Sequence, residues 1–243
     1  MTVVAGRNEF LEALPQGDRS VLLQAARHVE LPPRTSFYAP GELPHAVYFL
    51  TSGMASELVR VRDGRTMDGS PTGLYGFVGV PAVQGATDAF HHCVMQIRGE
   101  GLRVPLAVVQ DLYQQSDTFR TAAGRFMHAR FLQAIQSAAC NLLHKMDQRM
   151  ARWLLTTRLH TGSEEFQISQ EYLSEMIGAN RSTVTQCLGV LERKGFIALD
   201  RGAIRITHYE ALCRTACECY AVIKTAFAPV TGEQEESREQ QAG

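Results

Sequence analysis

The first hundred residues alternate short apolar runs with turn-forming residues. Pro32-Pro33, Pro40-Gly41 and Thr51-Ser-Gly53 separate the early runs, and glycines recur from residue 69 to residue 101. Short β-prone runs between such turns predict a β-barrel or β-roll. An opening helix from residue 8 to about residue 29 is expected to pack on it. The predicted strands are 29–31, 35–38, 47–50, 54–62, 93–97 and 102–105, with a hairpin joining 47–50 to 54–62.

The pattern changes near residue 106, where apolar residues begin to recur at helical spacing. Residues 106–144 contain one glycine and no proline, which predicts one long helix. Four of its apolar residues follow a 4-3-4 spacing, as in the seam of a two-stranded coiled coil. We therefore expect a homodimer whose seam contains Phe131, Ile135, Ala138 and Leu142. The alternative is a long helix that packs only on its own domain.

Residues 169–206 predict two short helices followed by a small hairpin. Ser169 is a suitable N-cap and Gly178 a suitable C-cap for the first helix, and Arg181 begins the second. Strands 196–199 and 203–206 flank the turn at Asp200-Arg-Gly202. Two helices, a glycine-bearing turn and a hairpin are typical of a winged helix-turn-helix, a DNA-binding module.

The predicted fold class is therefore α+β, with a jelly-roll-like β-roll, a long dimerisation helix and a C-terminal winged helix-turn-helix. The predicted boundaries are 1–112 for the sensor roll, 113–145 for the helix, and 146–230 for the DNA-binding domain. Within the last domain, residues 209–227 are expected to form one closing helix. Residues 231–243 are acidic and polar, and we expect them to be disordered.

Composition narrows the class of protein further. The formal charge is −1, yet residues 176–214 carry six basic side chains against three acidic ones. Such a basic region in a neutral protein is compatible with a local nucleic-acid surface. The sequence has no membrane-length apolar run and no signal peptide, so a cytoplasmic protein without membrane contact is expected. Six sparse cysteines then indicate reduced thiols rather than a disulfide framework.

The second helix of the predicted motif presents polar side chains at its start. Arginine pairs with guanine and glutamine with adenine in the major groove, at about 1–3 kcal/mol of discrimination per pair. Residues at the first helix and on the hairpin are suited to phosphate contacts. The candidate DNA-binding residues are Ser169, Gln170, Arg181, Ser182, Thr183, Thr185, Gln186, Arg201 and Arg205.

Residues 168–197 closely resemble the DNA-binding motif of the cyclic AMP receptor protein/FNR family of bacterial transcription regulators. Pro40-Gly-Glu42 and Val47-Tyr-Phe-Leu-Thr-Ser-Gly53 are similar to the opening of that family's sensor roll. The resemblance spans about residues 8–227. It implies a homodimer that binds a palindromic operator and recruits or blocks RNA polymerase, with Arg181, Ser182 and Gln186 facing bases. Because members often have Glu at Ser182 and Arg at Gln186, we expect a different half-site.

The sensor departs from the family's nucleotide-binding cassette. Gly79-Val80-Pro81 stands where the family has Gly-Glu for the ribose, and His92-Cys93 where it has Arg-Ser for the cyclic phosphate. Valine accepts no hydrogen bond, and a neutral histidine lacks the fixed donors of arginine. We therefore predict that cyclic AMP does not bind. The candidate effector pocket is Val80, His92, Cys93 and Gln136.

Other members of the family bind haem or iron–sulfur clusters, so two metal sites require consideration. His91-His92-Cys93 lies on a predicted strand, where neighbours point to opposite faces and do not share one metal. Cys217 and Cys219 point in different directions on a continuous helix, and Cys213 shares a face only with Cys217. A four-thiolate cage needs Cys140 or Cys187 brought close. We expect buried structural cysteines and no resident cofactor, with a haem, iron–sulfur or thiol redox sensor as the alternative.

An enzyme and a protein-interaction adaptor are the two alternatives to a DNA-binding regulator. The sequence has no nucleophile elbow, zinc-protease motif or Walker loop, so we expect no enzymatic activity. A dimeric protein-interaction adaptor without DNA binding is the remaining alternative. It would tolerate neutralisation of Arg181, whereas a DNA reader would not.

Overall fold

The computed structural model describes residues 6–62, 64 and 66–230. Its helices are α1 Glu9–Glu12, α2 Gln16–Ala25, α3 Val80–Val83, α4 Leu106–Gln115, α5 Asp117–Leu143, α6 Met146–Thr161, α7 Gln170–Ile177, α8 Arg181–Arg193, α9 Tyr209–Thr215 and α10 Cys219–Phe227. Its strands are β1 Arg27–Leu31, β2 Ser36–Tyr38, β3 Ala46–Leu50, β4 Met54–Arg60, β5 Thr66–Thr72, β6 His92–Ile97, β7 Gly99–Pro105, β8 Glu165–Gln167, β9 Ile197–Asp200 and β10 Ala203–Ile206. This arrangement confirms the α+β class, the roll, the long helix and the winged helix.

Two antiparallel sheets form the N-terminal roll. One sheet has the order β1-β7-β3 and the other has the order β2-β6-β4-β5. Phe10, Phe49, Phe77, Phe119 and Phe126 form an aromatic cluster that joins the N-terminal helices, the roll and α5. Because the long helix contributes two of these rings, it is part of the roll's core rather than a separate rod.

The predicted hairpin between strands 47–50 and 54–62 is wrong. Strand β3 pairs with β7, whereas β4 pairs with β5 and β6, so the two strands lie in different sheets. Gly53 forms the corner at φ +75°, and a Cβ there would lie 2.5 Å from the carbonyl oxygen of Ile97. Strand β5, which follows β4 in the chain and pairs with it, was missed because its alternation of polar residues with Gly69 and Pro71 weakens the β signal.

The opening helix is shorter than predicted. Pro15 separates α1 from α2, and the chain leaves the helical conformation at Ala26 to form β1. Strand β1 pairs with β7 along its whole length, from Arg27 opposite Arg103 to Leu31 opposite Gly99. Sheet hydrogen bonding therefore overrides the helical pattern of residues 26–29.

The predicted helix over residues 106–144 is interrupted once. Ser116 is extended and caps α5, where its hydroxyl oxygen accepts a hydrogen bond from the Phe119 amide. The same hydroxyl donates to Asp18 of α2. The interruption lets α4 pack on β3 and β7 while α5 takes a different direction, and the predicted boundary at residue 113 falls inside α4.

The C-terminal domain contains the predicted elements of a winged helix. Helices α7 and α8 begin and end where the sequence predicts, and strands β8, β10 and β9 form one small sheet. Its core joins residues of α6, α7, α8 and the sheet to Met54 and Ile97 of the roll. Part of the roll thus belongs to the same apolar core as the C-terminal domain.

The predicted closing helix over residues 209–227 is two helices. Helix α9 ends at Thr215, Ala216 is extended, and α10 begins at Cys219. The break changes the direction of the chain at the cysteines. The face assignment made for Cys217 and Cys219 on a continuous helix is therefore wrong.

Two further predictions concern the acidic tail and membrane-spanning helices. The acidic tail at 231–243 lies outside the described residues. None of the helices in the described ranges is both long enough and apolar enough to cross a membrane.

Candidate nucleic-acid interface

A tight turn sets the relation between the two helices of the motif. Gly178 ends α7 at φ +67°, a conformation that glycine adopts without steric cost. The amide of Gly178 donates to the Glu175 carbonyl, and the amide of Ala179 donates to the Ser174 carbonyl. This is the Schellman arrangement of a helix end. Buried side chains on both helices then hold the pair together: Leu173, Met176, Ile177, Val184, Leu188 and Leu191.

The amino end of α8 is exposed and polar. The side chains on its outer face that were predicted to contact bases or the DNA backbone are all exposed. They are Arg181, Ser182, Thr183, Thr185 and Gln186. Val184, Cys187 and Leu188 point inward instead. The helix therefore separates an apolar packing side from a polar outer side, with the polar residues concentrated in its first turns.

Helices α7 and α8 are also linked at their amino ends by polar contacts. The Thr185 hydroxyl lies 2.7 Å from Gln170 Oε1, to which it donates, and 2.9 Å from the Arg181 carbonyl. Ser169 caps α7 by accepting from the Tyr172 amide at 3.1 Å. The Ser169 hydroxyl and the Gln170 amide nitrogen keep hydrogens that a phosphate oxygen can accept. Within the described residues, the Asn180 side chain does not cap α8.

The hairpin β9–β10 supplies the wing. Asp200 pairs with Ala203, so Arg201 and Gly202 alone form the turn. Both residues have positive φ, +30° and +86°, as a two-residue hairpin turn of the primed type requires. Arg201 is exposed at the tip, and Arg205 is exposed on β10, where its Nε lies 3.9 Å from Glu165.

A row of exposed apolar side chains lies along α5. Phe131 is 61% exposed, Ile135 is 50% exposed and Leu142 is 83% exposed, and Ala138 is also exposed. All four belong to the predicted dimer seam. Other residues of the same stretch are buried against the rest of the chain, for example Gln133 and Ser137. Helix α5 thus has one covered side and one apolar uncovered side.

The four residues of the candidate effector pocket lie in different surroundings. Val80 packs in the aromatic core, and Cys93 lies in a separate apolar cluster of the roll. His92 Nε2 lies 2.9 Å from the Ser36 hydroxyl. The Gln136 amide contacts the Cys219 thiol at 3.2 Å. On α5 the residue about one turn earlier, Gln133, turns toward the roll, where it contacts Pro71.

A charged pair that the sequence did not indicate lies between the roll and α5. Arg130 of α5 contacts Glu57 of β4 at 3.1 Å, and Tyr38 donates to the same carboxylate at 2.6 Å. Burial alone would raise the pKa of Glu57, but Arg130 and the Tyr38 hydroxyl outweigh it, so the pKa is below its usual value. Glu57 and Arg130 therefore stay ionised and satisfy each other inside the roll.

The cysteines also form a group that the sequence did not predict. Cys217 and Cys219 are buried, as expected, and Cys213 is partly exposed. Cys140 of α5 joins the first two, and His144 completes a cluster of four residues. Cys187 and Cys213 lie outside it. The sequence shows the four residue types but not their proximity, because residues 140 and 217 meet only in the folded chain.

Comparison with known proteins agrees with this geometry. Residues 148–215 match the model of the Crp-like helix-turn-helix domain. The chain is 22% identical, over 231 residues, to a "CRP-like cAMP-activated global transcriptional regulator" of Mycobacterium tuberculosis. That alignment covers 89% of this chain and 100% of the mycobacterial protein.

Solved structures share the whole architecture at low sequence identity. FixK2 from Bradyrhizobium japonicum has a TM-score of 0.67 and 14% identity, covering 79% of this chain and 98% of its own. A CRP-family transcriptional regulator from Thermus thermophilus has a TM-score of 0.63 and 18% identity, covering 77% and 96%. The chain therefore contains a Crp-like helix-turn-helix domain at residues 148–215, and as a whole it has the fold of Crp/Fnr-family transcription regulators.

Proposed function

We propose that this regulator acts as a homodimer and reads a two-fold symmetric operator with the amino ends of its two α8 helices. Arg181 and Gln186 are the side chains that pair with base edges, with Ser182 and Thr185 beside them. The observation that carries the proposal is the exposure of this polar end of α8 above a buried apolar side. A helix of this kind fits the major groove.

Phosphate contacts would hold the recognition helix in register. Ser169 and Gln170 present hydrogen-bond donors at the start of α7, and Thr183 lies in the first turn of α8. Arg201 and Arg205 flank the helix from the wing and are both exposed. Contacts of this kind fix orientation and add salt-dependent affinity without reading sequence.

The apolar row on α5 supports the dimer. Phe131, Ile135, Ala138 and Leu142 are exposed in a helix whose other side is buried. Pairing two copies along this row would remove the apolar surface from water and create the two-fold axis. The two recognition helices would then meet half-sites about one helical turn apart.

Cyclic AMP is not the effector in this proposal. The mycobacterial relative is cAMP-activated according to its name, but Val80 here is a buried core residue, and His92 contacts Ser36. The Arg130 guanidinium is already paired with Glu57 between the roll and α5. An anionic ligand entering there would have to compete with that buried carboxylate for the guanidinium. A binding isotherm with micromolar or tighter affinity for cyclic AMP would contradict this part.

The regulator would act in the cytoplasm of a bacterium, where it recruits RNA polymerase to a promoter or blocks it. A change in the packing of α5 would alter the separation of the two recognition helices, and so shift the population of DNA-competent dimers. The Arg130–Glu57 pair is one contact through which the roll would sense or resist that change.

Selection from a random duplex library with the purified full-length protein tests the proposal. We expect enrichment of a two-fold symmetric site, both with and without added cell extract if no effector is needed. The Arg181→Ala variant should enrich a site with relaxed preference at one base pair of each half. Equal enrichment of all sequences by the unmodified protein would contradict base reading and favour the adaptor alternative.

A further inference from the structure

Four metal-binding side chains meet where the end of α5 contacts the junction of α9 and α10. Cys140 and His144 come from α5 and its C-cap, and Cys217 and Cys219 come from the junction. One potential ligand atom from each residue lies within 4.8 Å of the other three. The three cysteines are buried and His144 is partly buried.

The secondary structure explains how distant residues converge. Cys140 and His144 are four residues apart, so they lie on the same side of α5. The chain bends at Ala216 between α9 and α10, which lets Cys217 and Cys219 both face α5. A continuous helix would have turned one of these two thiols away.

Two of the separations between ligand atoms are close to those around a single tetrahedral ion. Cys140 Sγ and Cys217 Sγ are 3.5 Å apart, and Cys219 Sγ lies 3.5 Å from His144 Nδ1. Around a tetrahedral Zn²⁺, ligand bond lengths place two sulfurs about 3.8 Å apart, and a sulfur and a nitrogen about 3.6 Å apart. In an iron–sulfur cluster the four ligands are divided among two or four irons, which requires ligands spread around a larger body.

The surrounding polar groups are those that support a metal-bound ligand. The second nitrogen of His144, Nε2, lies 3.2 Å from Glu218 Oε1. This carboxylate–imidazole contact fixes the ring orientation that directs Nδ1 toward the thiols. Gln136 donates to the Cys219 sulfur and Arg152 donates to the Cys140 sulfur, both at 3.2 Å. Such donors stabilise thiolates in a buried site.

We propose that Cys140, His144, Cys217 and Cys219 bind one Zn²⁺ ion in each protomer. Three thiolates and an imidazole are a common ligand set of tetrahedral structural zinc. Binding releases the three thiol protons and leaves one net negative charge, next to the Arg152 guanidinium. The ion joins α5, which carries the exposed apolar row, to the C-terminal helices of the DNA-binding domain.

Metal analysis of the full-length protein tests the site. The protein is expressed with added zinc, purified under reducing conditions without chelator, and analysed by mass spectrometry for metals and by assay for sulfide. We expect one zinc per chain and no stoichiometric sulfide. The Cys217→Ser variant should lose the zinc, whereas the Cys213→Ser variant, which alters a thiol outside the cluster, should retain it.

A second measurement tests the site without substituting any of the four metal-binding residues. Addition of Co²⁺ to the metal-depleted protein should produce the visible absorption and thiolate charge-transfer bands of a tetrahedral site, with saturation at one equivalent. Glu218→Gln should keep the site but lower its zinc affinity by about tenfold, because the contact to His144 is weakened.

Several results would overturn the proposal. These are equal zinc contents in the unmodified protein and in Cys217→Ser, iron with stoichiometric sulfide, or a Cys140–Cys217 disulfide in protein purified under reducing conditions. Absence of a tetrahedral cobalt spectrum from folded, reduced protein would also exclude the site. DNA selection by the same preparations is a separate measurement, so failure of the metal site and failure of DNA reading are distinguishable.

Discussion

The exposed end of α8 and the buried cysteine–histidine cluster are both polar, but they are built in opposite ways. The DNA-binding candidates lie within residues 169–205, on consecutive elements, and face solvent. The members of the cluster come from residues 140–144 and 217–219 and are mostly buried. The first group is arranged by local helix and turn geometry, whereas the second depends on the packing of α10 against α5.

Because of this difference, substitutions in the two regions are expected to affect different properties of the protein. An exposed arginine is solvated in the free protein, so its removal affects DNA affinity and hardly affects folding. The polar groups of a buried cluster depend on one another instead of on water, so a substitution in the cluster affects folding stability first. Helix α5 carries residues of both kinds, with the apolar row exposed and Cys140 buried.

The largest expected effect is at the apolar row. Ile135→Glu would place two carboxylates near each other across the two-fold axis, and like charges in an interface cost several kcal/mol. We expect the variant to be a folded monomer by analytical ultracentrifugation, with operator binding lost. Leu23→Glu is the matched control, since Leu23 is 46% exposed on α2, and it should remain dimeric. A dimeric Ile135→Glu would show that α5 is not the seam.

Removal of zinc is expected to have the next largest effect. Zinc at about 100 to 1,000 times its dissociation constant stabilises the fold by about 3–4 kcal/mol. For a chain of this size, loss of that energy lowers Tm by about 10 °C. Calorimetry before and after chelation measures the shift, and the Cys217→Ser variant should show the lower Tm without chelator. An unchanged Tm after loss of the bound zinc would mean that the ion does not stabilise the contact between α5 and the α9–α10 junction.

Arg181→Ala should weaken operator binding and leave stability unchanged. The expected loss is about 1–3 kcal/mol of binding free energy, with relaxed preference at one position of each half-site. Fluorescence anisotropy on selected and mutated duplexes measures both effects. Arg98→Ala in the roll, where the side chain is exposed, is the control. An equal loss on all sequences would assign Arg181 to the phosphate backbone instead.

Arg201→Ala should have the smallest effect. A wing contact to phosphate contributes equally to all sequences, so affinity should fall uniformly and the salt dependence of log K should flatten by about one unit of slope. Titrations at several salt concentrations test this. A change in sequence preference would place the wing tip in a groove rather than on the backbone.

Much of the fold could be predicted because local signals were strong. Ser169 and Gly178 marked both ends of α7, and the apolar spacing of residues 131–142 identified the side of α5 that is exposed. The errors occurred where tertiary contacts override local pattern. Ser116 interrupts the predicted long helix while binding Asp18 of α2, and β1 takes residues from the predicted opening helix to pair with β7.

The sequence by itself determined the helix-turn-helix and its polar outer side, because both depend on residues close together in the chain. Only the tertiary structure decided that Glu57 pairs with Arg130, that Gln136 contacts Cys219, and that four metal-binding side chains converge. Those contacts join segments far apart in the chain, where helix and strand periodicities give the facing side of each element but not its partner. The bend at Ala216 is what brings Cys217 and Cys219 against Cys140 and His144 at the end of α5.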